Sequence, residues 1–177
     1  MPFQSTVAVQ PAIGVPGDFA SVNPRHFVVS GTLNQRMVSA PASPGPAIAG
    51  KFGLLTATGT VTSTPGYAAA SAAGAASRIG FVHRYMGAAL ITTWLGETSM
   101  TIQPGQAVEL FSEGDFFATA DAITGTPVRG AKVIWDPAAG TINIGATVSG
   151  TTIDTGFVLL SETATAGQTI IIGKPGA

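Results

Sequence analysis

Apolar and polar residues trade places along this chain in runs of three to seven, with a period of two rather than the three-to-four spacing of a helix face. From Arg78 onward the runs Ile79–Tyr85, Ala89–Leu95, Met100–Ile102, Val108–Phe111, Phe116–Ala120, Ala131–Trp135, Thr141–Ile144, Gly156–Leu160 and Thr169–Ile172 predict strands. Between them stand Gly87, Gly96, Pro104-Gly105, Glu113-Gly114-Asp115, Gly125, Asp136-Pro137 and Gly167, residues that favour turns. Strands every ~8–12 residues with Gly or Pro punctuation predict an all-β sandwich or barrel. Asp136-Pro137-Ala138-Ala139-Gly140 reads as a hairpin loop between Val133-Ile134-Trp135 and Thr141–Ile144, because Pro presets φ and Gly supplies a positive one.

The first half is less regular. Residues 1–24 read as an extended arm: Phe3 to Gln10 alternates like one strand, after which Pro11, Gly14, Pro16, Gly17 and Pro24 forbid a helix and interrupt any ladder. Such an arm, extended at ~3.3 Å per residue, could cross a neighbouring subunit, or it could serve as an edge strand of its own sheet. Residues 25–177 form the single domain. His26–Val29 predicts a short strand and Lys51–Ser63 further β structure, with loops at 39–50, where prolines cluster, and 64–78. Helix propensity is high only over Tyr67–Ser77, yet Gly74 and the lack of large apolar anchors leave a loop or a single turn equally open.

Composition narrows the functions this scaffold can carry. The 177 residues suit one domain. Only 10% are charged, against about 25% ordinarily, and the net charge is −1. The eight Lys and Arg residues are scattered, so no basic track for nucleic acid is predicted. Without Cys there is neither disulfide nor thiolate chemistry, which fits assembly in a reducing cytoplasm. The opening MPFQSTVAVQ lacks the features of a signal peptide, and Tyr67–Ala76 is about half the length needed to span a bilayer, so no membrane partner is expected.

Candidate chemistry is sparse. His26 and His83 have no neighbouring His at metal-ligand spacing, so neither a metal nor a cofactor is expected, and His83 reads as a partly exposed or hydrogen-bonded structural residue. Glu109, Glu113, Asp115 and Asp121 could supply the two carboxylates of a glycosidase, but Glu113-Gly114-Asp115 reads as a turn between two strands, where acidic residues are ordinarily solvated. Phosphate loops, nucleophile elbows and dinucleotide fingerprints are absent, and no catalytic residue is assigned. A carbohydrate-binding β-sandwich of the tail-fibre or adhesin kind would need exposed aromatics, whereas Trp94 and Trp135 both sit in apolar strand contexts.

Several segments, in order, resemble the cement, or decoration, proteins that tailed bacteriophages attach to the outside of their capsids. They are Met1-Pro2-Phe3-Gln4, Val9-Gln10-Pro11-Ala12, Gly17 to Arg25, Gly80-Phe81-Val82-His83-Arg84, Met100-Thr101-Ile102, Gly114-Asp115-Phe116-Phe117 and Gly130-Ala131-Lys132-Val133. The resemblance implies a jelly-roll-like barrel or sandwich, made in the host cytoplasm and placed on the outer capsid surface of the virion. It implies binding to the major capsid protein across subunit joints of the expanded shell, and self-association as a homodimer or else a homotrimer. On this reading the arm grips its partner by adding a strand to an open sheet edge, and Phe3, Thr6, Val7, Val9, Pro11, Phe19 and Arg25 are the candidate contact residues.

Overall fold

The computed structural model describes residues 14–28, 36–72, 78–84 and 100–174. The predicted strand Ala89–Leu95, Trp94, and the candidate contact residues Phe3, Thr6, Val7, Val9 and Pro11 lie outside the described residues. Within them the chain is all-β apart from one six-residue helix, α1 (Tyr67–Ala72). The strands are β1 (His26–Phe27), β2 (Val38–Ser39), β3 (Phe52–Leu55), β4 (Thr60–Thr62), β5 (Ile79–Val82), β6 (Leu110–Thr119), β7 (Ala122–Ile123), β8 (Lys132–Asp136), β9 (Thr141–Ile144), β10 (Ile153–Leu159) and β11 (Thr169–Lys174).

These strands form one mixed sheet in the order β2-β4-β3-β5-β6-β11-β10-β8-β9-β7, with β1 added beside β6. The ring of Phe52 on β3 meets that of Phe157 on β10 edge to face at 5.3 Å, although β5, β6 and β11 lie between their strands. The sheet therefore curls until its two halves face each other, as in a sandwich. Between them lies the main core, in which Phe52, Phe81, Phe116, Trp135, Ile142 and Phe157 are almost wholly buried.

A second, smaller core occupies the other face of the β3-β5-β6 half. Leu55, Val61, Val82 and Leu110 meet Val28, Ala47, Ile102 and Val108 there. Gly53 and Gly80 are register partners on β3 and β5. A methyl group at Gly80 would come within 2.6 Å of the Phe111 carbonyl oxygen and 2.8 Å of Val28, so this face closes because Gly80 carries no side chain, and Gly53 beside it would meet Val61 at 3.0 Å.

The largest departure from the sequence reading is at Glu113-Gly114-Asp115. In place of a turn between two strands, these residues run through the middle of the ten-residue strand β6. Local composition favours a turn, but the pairing partners are distant: Glu113 pairs with His26, Gly114 with Lys174 and Asp115 with Gly173. Gly114 takes φ 124°, a conformation other residues rarely adopt, and so lets the strand bend without breaking. Residues before it pair with β5 and β1, those after it with β11. Met100–Ile102, predicted as a strand, forms only an isolated bridge, with the Ala49 and Ile102 amides bonding the Met100 and Ala47 carbonyls.

Alternating burial is clearest in β9. In the 136–140 hairpin Asp136 Oδ1 accepts the Ala138 and Ala139 amides, and Gly140 has φ 69°. Trp135, beside it, is fully buried.

Candidate functional site

The candidate site is built on residues 17–27, which lie along β6. The Gly17 amide donates to the Phe117 carbonyl at 2.8 Å, the Phe117 amide to Asp18 at 3.0 Å and the Ala20 amide to Asp115 at 2.9 Å. Further along, β1 pairs with the first half of β6, and the Val28 amide donates to Leu110. Extended backbone beside an unpaired stretch of strand satisfies its polar groups in this way despite Pro16 and Pro24.

Phe19 fixes the segment by its side chain. Its ring stacks on His83 at 4.2 Å and meets Phe111 and Phe116 at 5.2 and 5.4 Å. The Arg25 guanidinium lies over the same ring, 3.8 Å from its centroid. Two of the predicted contact residues, Phe19 and Arg25, are thus brought into direct contact. His83, as read from the sequence, is hydrogen-bonded: Nδ1 lies 2.9 Å from Glu109 Oε2.

Between Phe19 and Arg25 the chain rises into a ridge, Val22 to Arg25, fastened from below by Asp115. One carboxylate oxygen of Asp115 accepts the Ser21 hydroxyl at 2.7 Å and the Asn23 amide group at 2.5 Å. At the crest Val22 is 94% exposed, and beyond it Phe27 is 55% exposed with its ring 4.3 Å from Phe111. On one flank, Phe19, Phe27 and Phe111 line an open groove of about 460 Å³. On the other, Arg129, Leu160 and Lys174 surround a hollow of about 500 Å³.

Each of the four candidate acids is engaged by its own partner. Glu109 faces His83, Glu113 meets His26, and Asp115 holds the ridge. Asp121 accepts Lys51 Nζ at 2.6 Å and the Ile142 amide at 2.7 Å. Among the described residues there is no group of three or more His, Asp or Glu placed to hold a metal, and no helix long and apolar enough to cross a membrane. Sequence reasoning missed Ser21, Asn23 and Asp115 as a unit, because more than ninety residues separate the donors from the acceptor. It also missed Val22 and Phe27, whose apolar character looked ordinary before their exposure was known.

Apolar side chains displayed beside a few charges, on a surface otherwise short of charge, have the composition of a protein-contact surface. Comparison with known proteins places the chain among phage capsid-associated structural proteins. The model of the XM1 gp53 minor capsid protein family matches residues 3–174, and the chain belongs to that family. Among solved structures, a chain from the capsid of Myoviridae phage XM1 superposes with a TM-score of 0.55 at 15% identity, covering 99% of this chain and 98% of that one. At that identity the likeness concerns the fold. No curated protein matches the sequence.

Proposed function

We propose that this virion protein is a non-enzymatic cement subunit on the outer face of the capsid, where it bridges adjacent major capsid proteins and stabilises the expanded shell. The observation that carries the reading is the family match over residues 3–174. The exposed ridge at Val22 and Phe27 supports it by offering an apolar contact on a charge-poor surface.

A subunit that touches two neighbours at once makes its second contact intramolecular, which raises avidity by about 10²–10⁴ without any strong individual contact. The ridge supplies one such contact, and residues 1–13, with Phe3, Thr6, Val7, Val9 and Pro11, supply the other. Anchored at Gly14 beside the Phe117 ring, thirteen residues drawn out at ~3.3 Å each would reach about 43 Å, the width of a neighbouring domain. Self-association as a dimer or trimer would multiply the contacts further.

The test uses capsids purified from phage that lack this protein. Full-length protein is expected to bind them and raise the temperature at which they open. A variant lacking residues 2–13 is expected to keep its melting temperature and bind about tenfold or more weakly. Failure of the full-length protein to bind overturns the cement reading, and undiminished binding of the shortened one overturns the role of the arm.

A further inference from the structure

Charge is scarce in this protein, so its placement is informative. Of the eight basic residues, Lys51, Arg84 and Lys132 are committed to Asp121, Asp18 and Asp154. Arg25, Arg36, Arg78, Arg129 and Lys174 form no salt bridge among the described residues, although the charge of Lys174 also acts on Asp154, and two of these five lie on one flank of the ridge. Arg129 and Lys174 line the 500 Å³ hollow on one flank. Arg25 passes Gly114, the register partner of Lys174, but its guanidinium lies over Phe19 and lines the groove on the other flank. The carboxylates nearby are already engaged: Asp115 by Ser21 and Asn23, Glu113 by His26, Asp154 by Lys132.

We infer that this hollow receives an acidic polypeptide segment, with a Glu or Asp carboxylate set between Arg129 and Lys174. On the proposed function, that segment belongs to a neighbouring capsid subunit. Two cations, Arg129 and Lys174, line the hollow with one carboxylate, Asp115, which is nearly buried and already accepts two hydrogen bonds, so the local field favours an incoming anion. Arg129 can bind a carboxylate with both arms of its guanidinium, while Lys174 adds a point charge. Pro24 and Leu160 add apolar contact area to the lining. A nucleic-acid backbone fits less well, because it needs a track of cations along successive phosphates and this cluster ends after two.

The inference rests on the capsid reading for the partner's identity but not for the chemistry of the hollow, so the experiment has separate arms. In the first, isotope-labelled protein is titrated with a hexaglutamate peptide, a hexaserine peptide and a short oligothymidylate at low salt. Hexaglutamate is expected to give saturable amide shifts centred on Arg129, Gly173 and Lys174, lost in Arg129→Glu and in Lys174→Gln and retained in Arg36→Glu and Arg78→Glu. In the second, the same variants are mixed with capsids lacking the protein, where Arg129→Glu is expected to weaken binding about tenfold or more and flatten its salt dependence. Hexaglutamate shifts spread evenly over the surface, or a stronger response to oligothymidylate, would overturn the inference. So would full capsid binding by Arg129→Glu. If wild-type protein ignores capsids while hexaglutamate still binds at the hollow, the capsid reading falls and the site stands.

Discussion

In β3 every residue from Phe52 to Leu55 is buried, and in β5 every residue from Ile79 to Val82, whereas in β9 burial alternates between Ile142 and Ile144 and their half-buried neighbours. The same sheet is thus sealed on both faces in one half and on one face in the other. In the β8-β9-β10 half the outward positions carry Asn143 and Asp154, which need no cover, on either side of a single buried Ile134. In the β3-β5 half they carry Leu55, Val61 and Val82, which do. The cover comes from Val28, Ala47, Ile102 and Val108, on connecting segments rather than on a second full layer. Among the described residues the main core has eighteen buried members and the second eight, so the first can hold the fold together while the second can only fasten segments to it. Val28, beside the exposed ridge, is one of those segments, which ties the candidate contact surface to the weaker core.

The largest loss should follow from a change in the shared core. Trp135→Ala removes a wholly buried ring and is expected to cost about 3–5 kcal/mol in denaturant unfolding. Trp135→Phe sharpens the point. The indole Nε1 is buried without a hydrogen-bond partner, so removing it along with the second ring should cost much less than the alanine change. A phenylalanine variant as unstable as the alanine one would show that indole volume alone sets this core.

Leu110→Ala strikes the second core. It should cost about 2 kcal/mol, the low end for such truncations, because the covering segments can settle into the space. Its signature is local. Hydrogen exchange should quicken at Val28, Ile102 and Val108 while the amides of β8 to β10 keep their protection. Uniform acceleration across the protein would erase the distinction between the two cores.

A smaller effect is expected beneath the ridge. Asp115→Ala leaves the Ser21 hydroxyl and the Asn23 amide without their acceptor and should cost about 1–2 kcal/mol. Exchange should rise at Ala20 and Asn23, and capsid binding should weaken through loss of a preformed contact. Normal capsid binding by this variant would mean that the clasp shapes the ridge without serving attachment.

How much of this was legible in the sequence divides along the same line. Where one face is wet, alternation is a local signal: β9, β10, β11 and the hairpin at Asp136–Gly140 can be read directly. Where both faces are covered, the partners decide, and they are distant in sequence. Glu113-Gly114-Asp115 has the composition of a turn and becomes mid-strand because His26, Gly173 and Lys174 pair with it. The two-residue strands β2 and β7 carry too little pattern to be seen at all. At the candidate site, Phe19 and Arg25 were legible as residues, but their stacking was not, nor were the Asp115 clasp and the hollow that Arg129 and Lys174 share, since no local spacing encodes proximity across a curled sheet.

The smallest effect concerns the wet face. Asp154 on β10 accepts Lys132 Nζ at 2.8 Å and the Gly156 amide at 3.0 Å. Burial pushes its carboxyl upward, but the Lys132 hydrogen bond, the Gly156 amide and the charges of Lys132 and Lys174 together outweigh this and hold it below the ordinary 3.8. A carboxyl held low in the folded state stabilises the protein above its unfolded value, and that contribution is lost as pH falls through the folded one. Asp154→Asn keeps the acceptor for Gly156 and removes only the charge. Because Lys132 is 64% exposed and Asp154 34%, solvent screens the pair, and the variant should lose no more than ~0.5 kcal/mol at neutral pH. The gap between wild type and variant should persist down to about pH 4 and close below 3.8. A gap that stays constant from pH 5 to pH 2 would mean that the asparagine side chain, rather than the missing charge, is responsible, and that the wet face owes nothing to its ion pair.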